Sequence, residues 1–184
     1  VDRILPRGRY WLHDIKRSIM DDRDLVVFDV GANTGQTAHD IAIFLPRAHV
    51  YCFEPVSDTF RRLVRDYGNK PGFTLVQQAL GGSPGLKEIP LHGNSELNTL
   101  VKVQSRIDDL TGETEIIAIE TLDRFSMNNS IHRIDILKMD VQGWELEVLN
   151  GAKRMIAAGQ IRYVLAEVAF RRGNLDMQYF EDLN

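Results

Sequence analysis

Six residues, Leu25 to Val30 (LVVFDV), constrain this chain more than any others. They form a nearly continuous apolar run of strand length, ended by Gly31. Strict alternation would mark a strand with one wet face. An unbroken run marks a strand covered on both faces, as at the centre of a parallel sheet. The period then changes. Ala38, Ile41, Ala42 and Leu45 follow the i, i+3, i+4, i+7 rule, and Pro46 ends that helix. Val50 to Phe53 predicts a second strand. After Glu54-Pro55, Ser57 or Asp58 is placed to cap a helix whose inner face is Phe60, Leu63, Val64 and Tyr67, closed by Gly68. Phe73 to Leu80 predicts a third strand. With right-handed crossovers, this β-α-β-α-β order is one half of a doubly wound, mostly parallel α/β sheet.

The alternation returns later. Ile134 to Val141 predicts a fourth core strand, and Trp144 to Leu149 a helix broken at Asn150-Gly151. Ala152 to Ala158 predicts a second helical piece, and Tyr163 to Val168 a fifth strand. Between the halves lies an insert, residues 81–119. It opens on the turn cluster Gly81 to Gly85 and offers short strands at Leu86 to Leu91, Leu97 to Val103 and Ile116 to Ile119. Residues 1–23 are expected to form an N-terminal helical segment with Trp11, Leu12, Ile15 and Ile19 on one face. The whole chain, 1–184, is long enough for a single domain. Only 16 residues follow Val168, and they begin another helix. A closing C-terminal hairpin is therefore expected to be absent, leaving a truncated sheet with one exposed edge.

Charge and composition exclude several functions. With 22 basic and 26 acidic residues the net charge is −4, which gives no overall pull toward nucleic acid or anionic membrane. Ile107 to Asp123 carries six acidic side chains and no basic one. No apolar run approaches the roughly 20 residues of a membrane span. One cysteine, Cys52, excludes a disulfide framework or a Cys-based zinc site and is expected to be buried and inert. The five histidines show no metal-binding spacing. A cytoplasmic location without bound metal is the expectation.

Three segments carry chemistry. In Phe28-Asp29-Val30-Gly31-Ala32-Asn33-Thr34-Gly35, at a strand-to-helix turn, Gly31 allows a sharp turn and close approach to a ligand. Gly35 allows tight contact where the helix begins. Free N–H groups of the turn are expected to meet a carboxylate. The turn is not the dinucleotide fingerprint: Asn33 stands where a pyrophosphate-binding loop needs its second glycine. Asp29 would repel a phosphate and suits an ammonium or sulfonium. Glu54, at the end of the second strand, is placed to hydrogen-bond ribose hydroxyls, or else to favour the start of the next helix. Together these two features point to an adenosine ligand without pyrophosphate, S-adenosylmethionine. The third segment is Lys138-Met139-Asp140-Val141-Gln142-Gly143-Trp144-Glu145, after the fourth strand. Asp140 is placed to take the proton of an acceptor hydroxyl, or else only to cap the following helix.

These motifs in this order resemble the FkbM family of S-adenosylmethionine-dependent methyltransferases, of the Rossmann-like class I methyltransferase fold. The resemblance runs from about Leu25 to Val168. It rests on FDVGANTG, on Phe53-Glu54-Pro55, on Ala79-Leu80, on Asn98-Thr99-Leu100, on Thr121-Leu122-Asp123 and on Lys138 to Glu145. It implies that Asp29, Gly31, Ala32, Asn33, Thr34 and Gly35 hold the methionine part and Glu54 with Pro55 the ribose. Gln78 and Ala79 border the adenine. Asp140 sits beside the reactive methyl, supported by Lys138 and Glu145. Gln142 stands where the family usually has Glu. The acceptor implied is a hydroxyl of a sugar, polyketide or similar small molecule. Glu167, after the fifth strand, is a second candidate acid on the acceptor side. His13 and His92 are weaker candidates there, and Trp144 either walls the acceptor pocket or packs in the core. The competing readings are a non-catalytic cofactor-binding module and, although Asn33 counts against it, a nicotinamide-dependent oxidoreductase.

Overall fold

A computed structural model describes residues 11–19, 24–92 and 110–167. The expected strand at Leu97 to Val103, the Asn98-Thr99-Leu100 motif, the helix after residue 175 and the question of a closing hairpin lie outside the described residues.

Five strands form the main sheet: β1 (Val26–Val30), β2 (His49–Phe53), β3 (Phe73–Val76), β7 (Ile134–Met139) and β8 (Ile161–Ala166). Their order is β3-β2-β1-β7-β8, and every neighbouring pair is parallel. The long apolar run of the sequence is the central strand, as its two-sided burial requires. Alternate residues of each strand divide between two cores. Val27, Val50, Cys52 and Ile136 face α1 (Trp11–Ser18), α2 (Gln36–Phe44) and α3 (Ser57–Tyr67). Phe28, Val30, Phe53, Leu137 and Met139 face α4 (Leu122–Asn128), α5 (Glu145–Asn150) and α6 (Lys153–Ala157). The fold is therefore a doubly wound α/β sandwich. α1 packs as a surface helix through Leu12, with Trp11 and Ile15 beside it and Ile19 just beyond its end.

Three expectations need correction. The segment Phe73 to Leu80 is not one strand: β3 stops at Val76, and β4 (Ala79–Leu80) turns into a second sheet. That sheet, β4-β6-β5, is built by the insert, and its strands β5 (Gly85–His92) and β6 (Leu110–Glu120) are long rather than short. Neither Ser57 nor Asp58 caps α3. The N-cap is Val56, and no side chain caps the helix from that position.

The helix α4 was not apparent from periodicity because it is only two turns long. Its start is marked by Thr121, whose hydroxyl accepts from the Arg124 N–H (3.2 Å). Asp123 reaches across to accept from the N–H groups of Arg154 (2.7 Å) and Met155 (3.0 Å), capping α6. The Thr121-Leu122-Asp123 motif is thus architectural. So is Gly151, whose missing side chain leaves room for the Gly81 carbonyl; a Cβ there would lie 2.2 Å from that oxygen.

Candidate functional site

The carboxyl ends of β2, β1, β7 and β8 open onto one cavity of about 350 Å³. Ligands of open α/β sheets bind at such strand ends. The volume lies at the lower end of the range for small-molecule sites.

The turn after β1 contributes Gly31, Ala32 and Asn33. Its N–H groups are not free. Those of Gly31 and Ala32 donate to the Phe53 carbonyl (3.1 and 3.0 Å). That of Asn33 donates to Glu54 Oε2 (3.1 Å), that of Thr34 to Asn33 Oδ1 (2.7 Å) and that of Gly35 to the Ala32 carbonyl (2.9 Å). The turn is thus locked to β2 by its own donors. The amino end of α2 lies one step on, and its N-cap Gly35 has no side chain to offer it. Gln36 and Thr37 of that first turn line the cavity.

Gly31 has φ +78°, and a Cβ there would lie 2.0 Å from the Asp140 carbonyl oxygen. The close approach it permits is to the loop after β7, in addition to any ligand. Asn33 also sits in the left-handed region (φ +49°), which asparagine tolerates better than most residues. Gly35 admits the Tyr67 ring and Leu63 of α3, as its place at the helix start predicts.

After β2 come Glu54, Pro55 and Val56. Glu54 is 6% exposed, and its other oxygen, Oε1, accepts from the Val56 N–H (2.9 Å). One side chain thus lines the cavity and organises the start of α3. Burial pushes its carboxyl up to about 7, against the opposing pull of the Val56 and Asn33 N–H groups. Val56 faces Ile89, which reaches the same cavity from β5 in the second sheet.

After β7 come Lys138, Asp140, Val141 and Gln142. Asp29 and Lys138 are register partners on β1 and β7, and Lys138 Nζ lies 3.0 Å from Asp29 Oδ1 and 3.6 Å from Asp140 Oδ2. Burial would lower the lysine's pKa, but the two carboxylates outweigh it and the net shift is upward. Burial lifts Asp29, and the ammonium draws it part of the way back. Asp29 is fully buried and does not line the cavity, so it reaches the site only through Lys138. Asp140 is open, its side chain 46% exposed, with Oδ1 accepting from Gln142 Nε2 (3.2 Å). Gln142 holds its place with a left-handed backbone (φ +51°). Glu145 points back into the loop: it is buried, Oε1 accepts from the Val141 N–H (3.2 Å), and burial raises its pKa.

After β8, Glu167 lines the far end of the cavity. Thr34, Gly35, Gln78 and Ala79 do not line it, and neither does Trp144. Ala79 is buried against Val56, Ile89 and Ile117, behind the wall it was expected to form. Trp144 packs between the second sheet and α5, donating Nε1–H to the Leu80 carbonyl (3.2 Å) beneath the Lys87 ammonium (4.0 Å from the ring centre). His13 sits on α1, away from the cavity, and the side chain of His92 lies outside the described residues. Gln36, Thr37, Val56 and Ile89 are cavity residues outside the sequence motifs, and Val141 lies within the third motif without a role assigned to it there.

Among the described residues no group of three metal-ligating side chains converges, and no helix is long and apolar enough to cross a membrane. Cys52 is free and buried, and burial raises its thiol pKa.

The model of the methyltransferase FkbM domain matches residues 29–183. Three characterised proteins are similar over most of the chain. The hexuronic acid methyltransferase AglP of Haloferax volcanii is 27% identical over 161 residues, 84% of this chain and 61% of that protein. The 2-O-methyltransferase NoeI of Sinorhizobium fredii is 25% identical over 178 residues, 90% of this chain and 73% of that protein. The AMB antimetabolite synthetase AmbE of Pseudomonas aeruginosa is 29% identical over 182 residues, 81% of this chain but 8% of that protein. The chain thus spans about three fifths of the length of the first and a small part of the third.

Proposed function

The chain belongs to the FkbM methyltransferase family, and from that premise we propose that it methylates a hydroxyl of a sugar or related small molecule, using S-adenosylmethionine. The observation that carries the reading is the single cavity that joins Glu54, the amino end of α2 and the open carboxylate of Asp140 along four neighbouring strand ends. The donor set fits the cofactor. Glu54 offers a buried carboxylate to a ribose, Val56 and Ile89 offer apolar walls to a base, and the amino end of α2, whose dipole favours a negative charge, borders the cavity where an amino-acid carboxylate would sit. S-adenosylmethionine supplies an electrophilic methyl on a sulfonium, whose departure as a neutral thioether needs no acid.

The rest falls to the chain's own residues. As the acceptor oxygen gains the methyl it must lose its proton, and Asp140 is the solvent-open carboxylate placed to receive it. Lys138 and Gln142 orient that carboxylate, and Asp29 holds Lys138 from below. Much of the rate is expected to come from positioning. The names of two relatives, a hexuronic acid methyltransferase and a 2-O-methyltransferase, favour oxygen on a sugar-like acceptor. Calorimetric titration with S-adenosylhomocysteine tests the cofactor: a folded chain that binds neither it nor S-adenosylmethionine is not this enzyme.

A further inference from the structure

Glu167 stands beside Asp140. The strands β7 and β8 pair in parallel, with Met139 opposite Ala166 as the last register pair, so the next residue of each strand is a carboxylate. Both line the same cavity. Neighbouring strands lie about 4.8 Å apart, which lets the two side chains converge on adjacent atoms of one ligand. Their surroundings differ. Asp140 is held by Lys138 and Gln142. Glu167 is exposed, and among the described residues it makes no hydrogen bond or ion pair. It is a hydrogen-bond acceptor with unused capacity, on the side of Asp140 away from Glu54.

Resting on the methyltransferase reading above, we propose that Glu167 recognises a second hydroxyl of the acceptor, adjacent to the one methylated, so that the substrate class is a vicinal diol. The chemistry of the wall selects this. Carboxylate oxygens accept hydrogen bonds, so two such groups side by side call for two donors. The one cation among the described lining residues, Lys138, is already shared between Asp29 and Asp140. An acceptor bearing its own carboxylate next to the reacting hydroxyl would meet repulsion here, whereas two neighbouring hydroxyls satisfy both side chains. Glu167 thereby sets which acceptor fits, while Asp140 touches the reacting oxygen.

The test uses the full chain, S-adenosylmethionine and a panel of methyl glycosides: methyl α-D-glucopyranoside, methyl α-D-mannopyranoside, methyl α-L-rhamnopyranoside and methyl β-D-xylopyranoside. S-adenosylhomocysteine release is the readout. For a glycoside that is methylated, the analogue lacking the neighbouring hydroxyl should show a KM raised about tenfold or more, because a hydrogen bond to a charged acceptor is lost. Glu167→Gln should raise KM for the intact glycoside similarly and add nothing for the deoxy analogue. Its S-adenosylhomocysteine affinity, measured calorimetrically, should match the unaltered protein and so report an intact fold. Equal KM values for diol and deoxy acceptors overturn the proposal, as does a Glu167→Gln effect that is the same on both. Binding of S-adenosylhomocysteine with no glycoside methylated also overturns it, while leaving the cofactor assignment standing. Failure to bind S-adenosylhomocysteine removes the methyltransferase reading and this proposal with it.

Discussion

Lys138 and Asp29 face each other across the two central strands of the sheet, with Nζ and Oδ1 3.0 Å apart and both side chains almost wholly buried. The pair lies in the layer between the sheet and α1–α3, among apolar neighbours. A charge pair there is worth little compared with a well-packed apolar pair, but half of it is costly, because the remaining charge is desolvated without a partner. Lys138→Met should therefore lower unfolding free energy by about 3–5 kcal/mol in urea titrations. The double variant Lys138→Met with Asp29→Asn should regain much of that loss. A single variant as stable as the unaltered protein would mean that the two charges are not coupled.

Asp140 presents the opposite case, since its side chain is half open. Asp140→Asn should leave stability and S-adenosylhomocysteine affinity nearly unchanged. It should lower kcat about 10²–10⁴-fold, the usual contribution of a positioned proton acceptor. A weakened cofactor with unchanged kcat would assign Asp140 to binding instead.

Glu54 makes stability depend on pH. Its carboxyl is raised from 4.5 to about 7 by burial, so the folded chain keeps a proton that the unfolded chain has lost between those values. The contribution of this group is fully present below pH 4.5 and falls away as pH rises through about 7. From the size of the shift the loss is of order 3 kcal/mol. Urea midpoints at pH 5 and pH 8 should show that decline, and Glu54→Gln should flatten it. The slope is the readout, since an amide has one acceptor oxygen where Glu54 uses two.

Much of this arrangement could be seen in the sequence, because strand burial and glycine turns are local signals. LVVFDV announced a central strand, and Gly31, Asn33, Glu54 and Asp140 all line the cavity. What stayed hidden depends on pairing between distant segments. Asp29 reads as a ligand residue until its register partner is known to be Lys138. The turn N–H groups read as free until Phe53 and Glu54 are seen to accept from them. Phe73 to Leu80 reads as one strand because nothing between Val76 and Ala79 is a strong breaker; only the second sheet reveals why the chain changes direction. Ile89 shows the alternation of a half-buried strand, but no local pattern says which wall it covers.

Gly31 offers a local test. Alanine at φ +78° costs about 1–3 kcal/mol for the backbone alone. The added Cβ would also press on the Asp140 carbonyl. Gly31→Ala should lower the melting temperature and displace the β7 loop, reducing kcat more than a cavity residue far from Asp140 would. Full activity in this variant would show that the β1 turn and the Asp140 loop move independently.

The last prediction concerns a residue outside the cavity. Glu115 on β6 takes the N–H of Ser57 on both oxygens (3.0 and 3.2 Å) and also accepts from the Ser57 hydroxyl. Gln77 Nε2 donates to that same hydroxyl oxygen (2.9 Å). The carboxylate thus does for α3 what Ser57 and Asp58 were expected to do, but from the second sheet. Glu115 is the register partner of Ile89, so the bond that caps the helix also fixes Ile89 opposite Val56. Glu115→Ala removes the acceptor and leaves the first-turn N–H of α3 to water. It should cost about 1–3 kcal/mol of stability. Because the second sheet is then tied down less firmly, S-adenosylhomocysteine should also bind about tenfold more weakly, a loss of about 1.4 kcal/mol. Ser57→Ala keeps the backbone donor and loses only the hydroxyl bond, so it should show a smaller effect of the same kind. An unchanged affinity in Glu115→Ala, with stability lowered as expected, would show that the Ile89 wall is positioned by the apolar contacts of Ala79 and Ile117 alone.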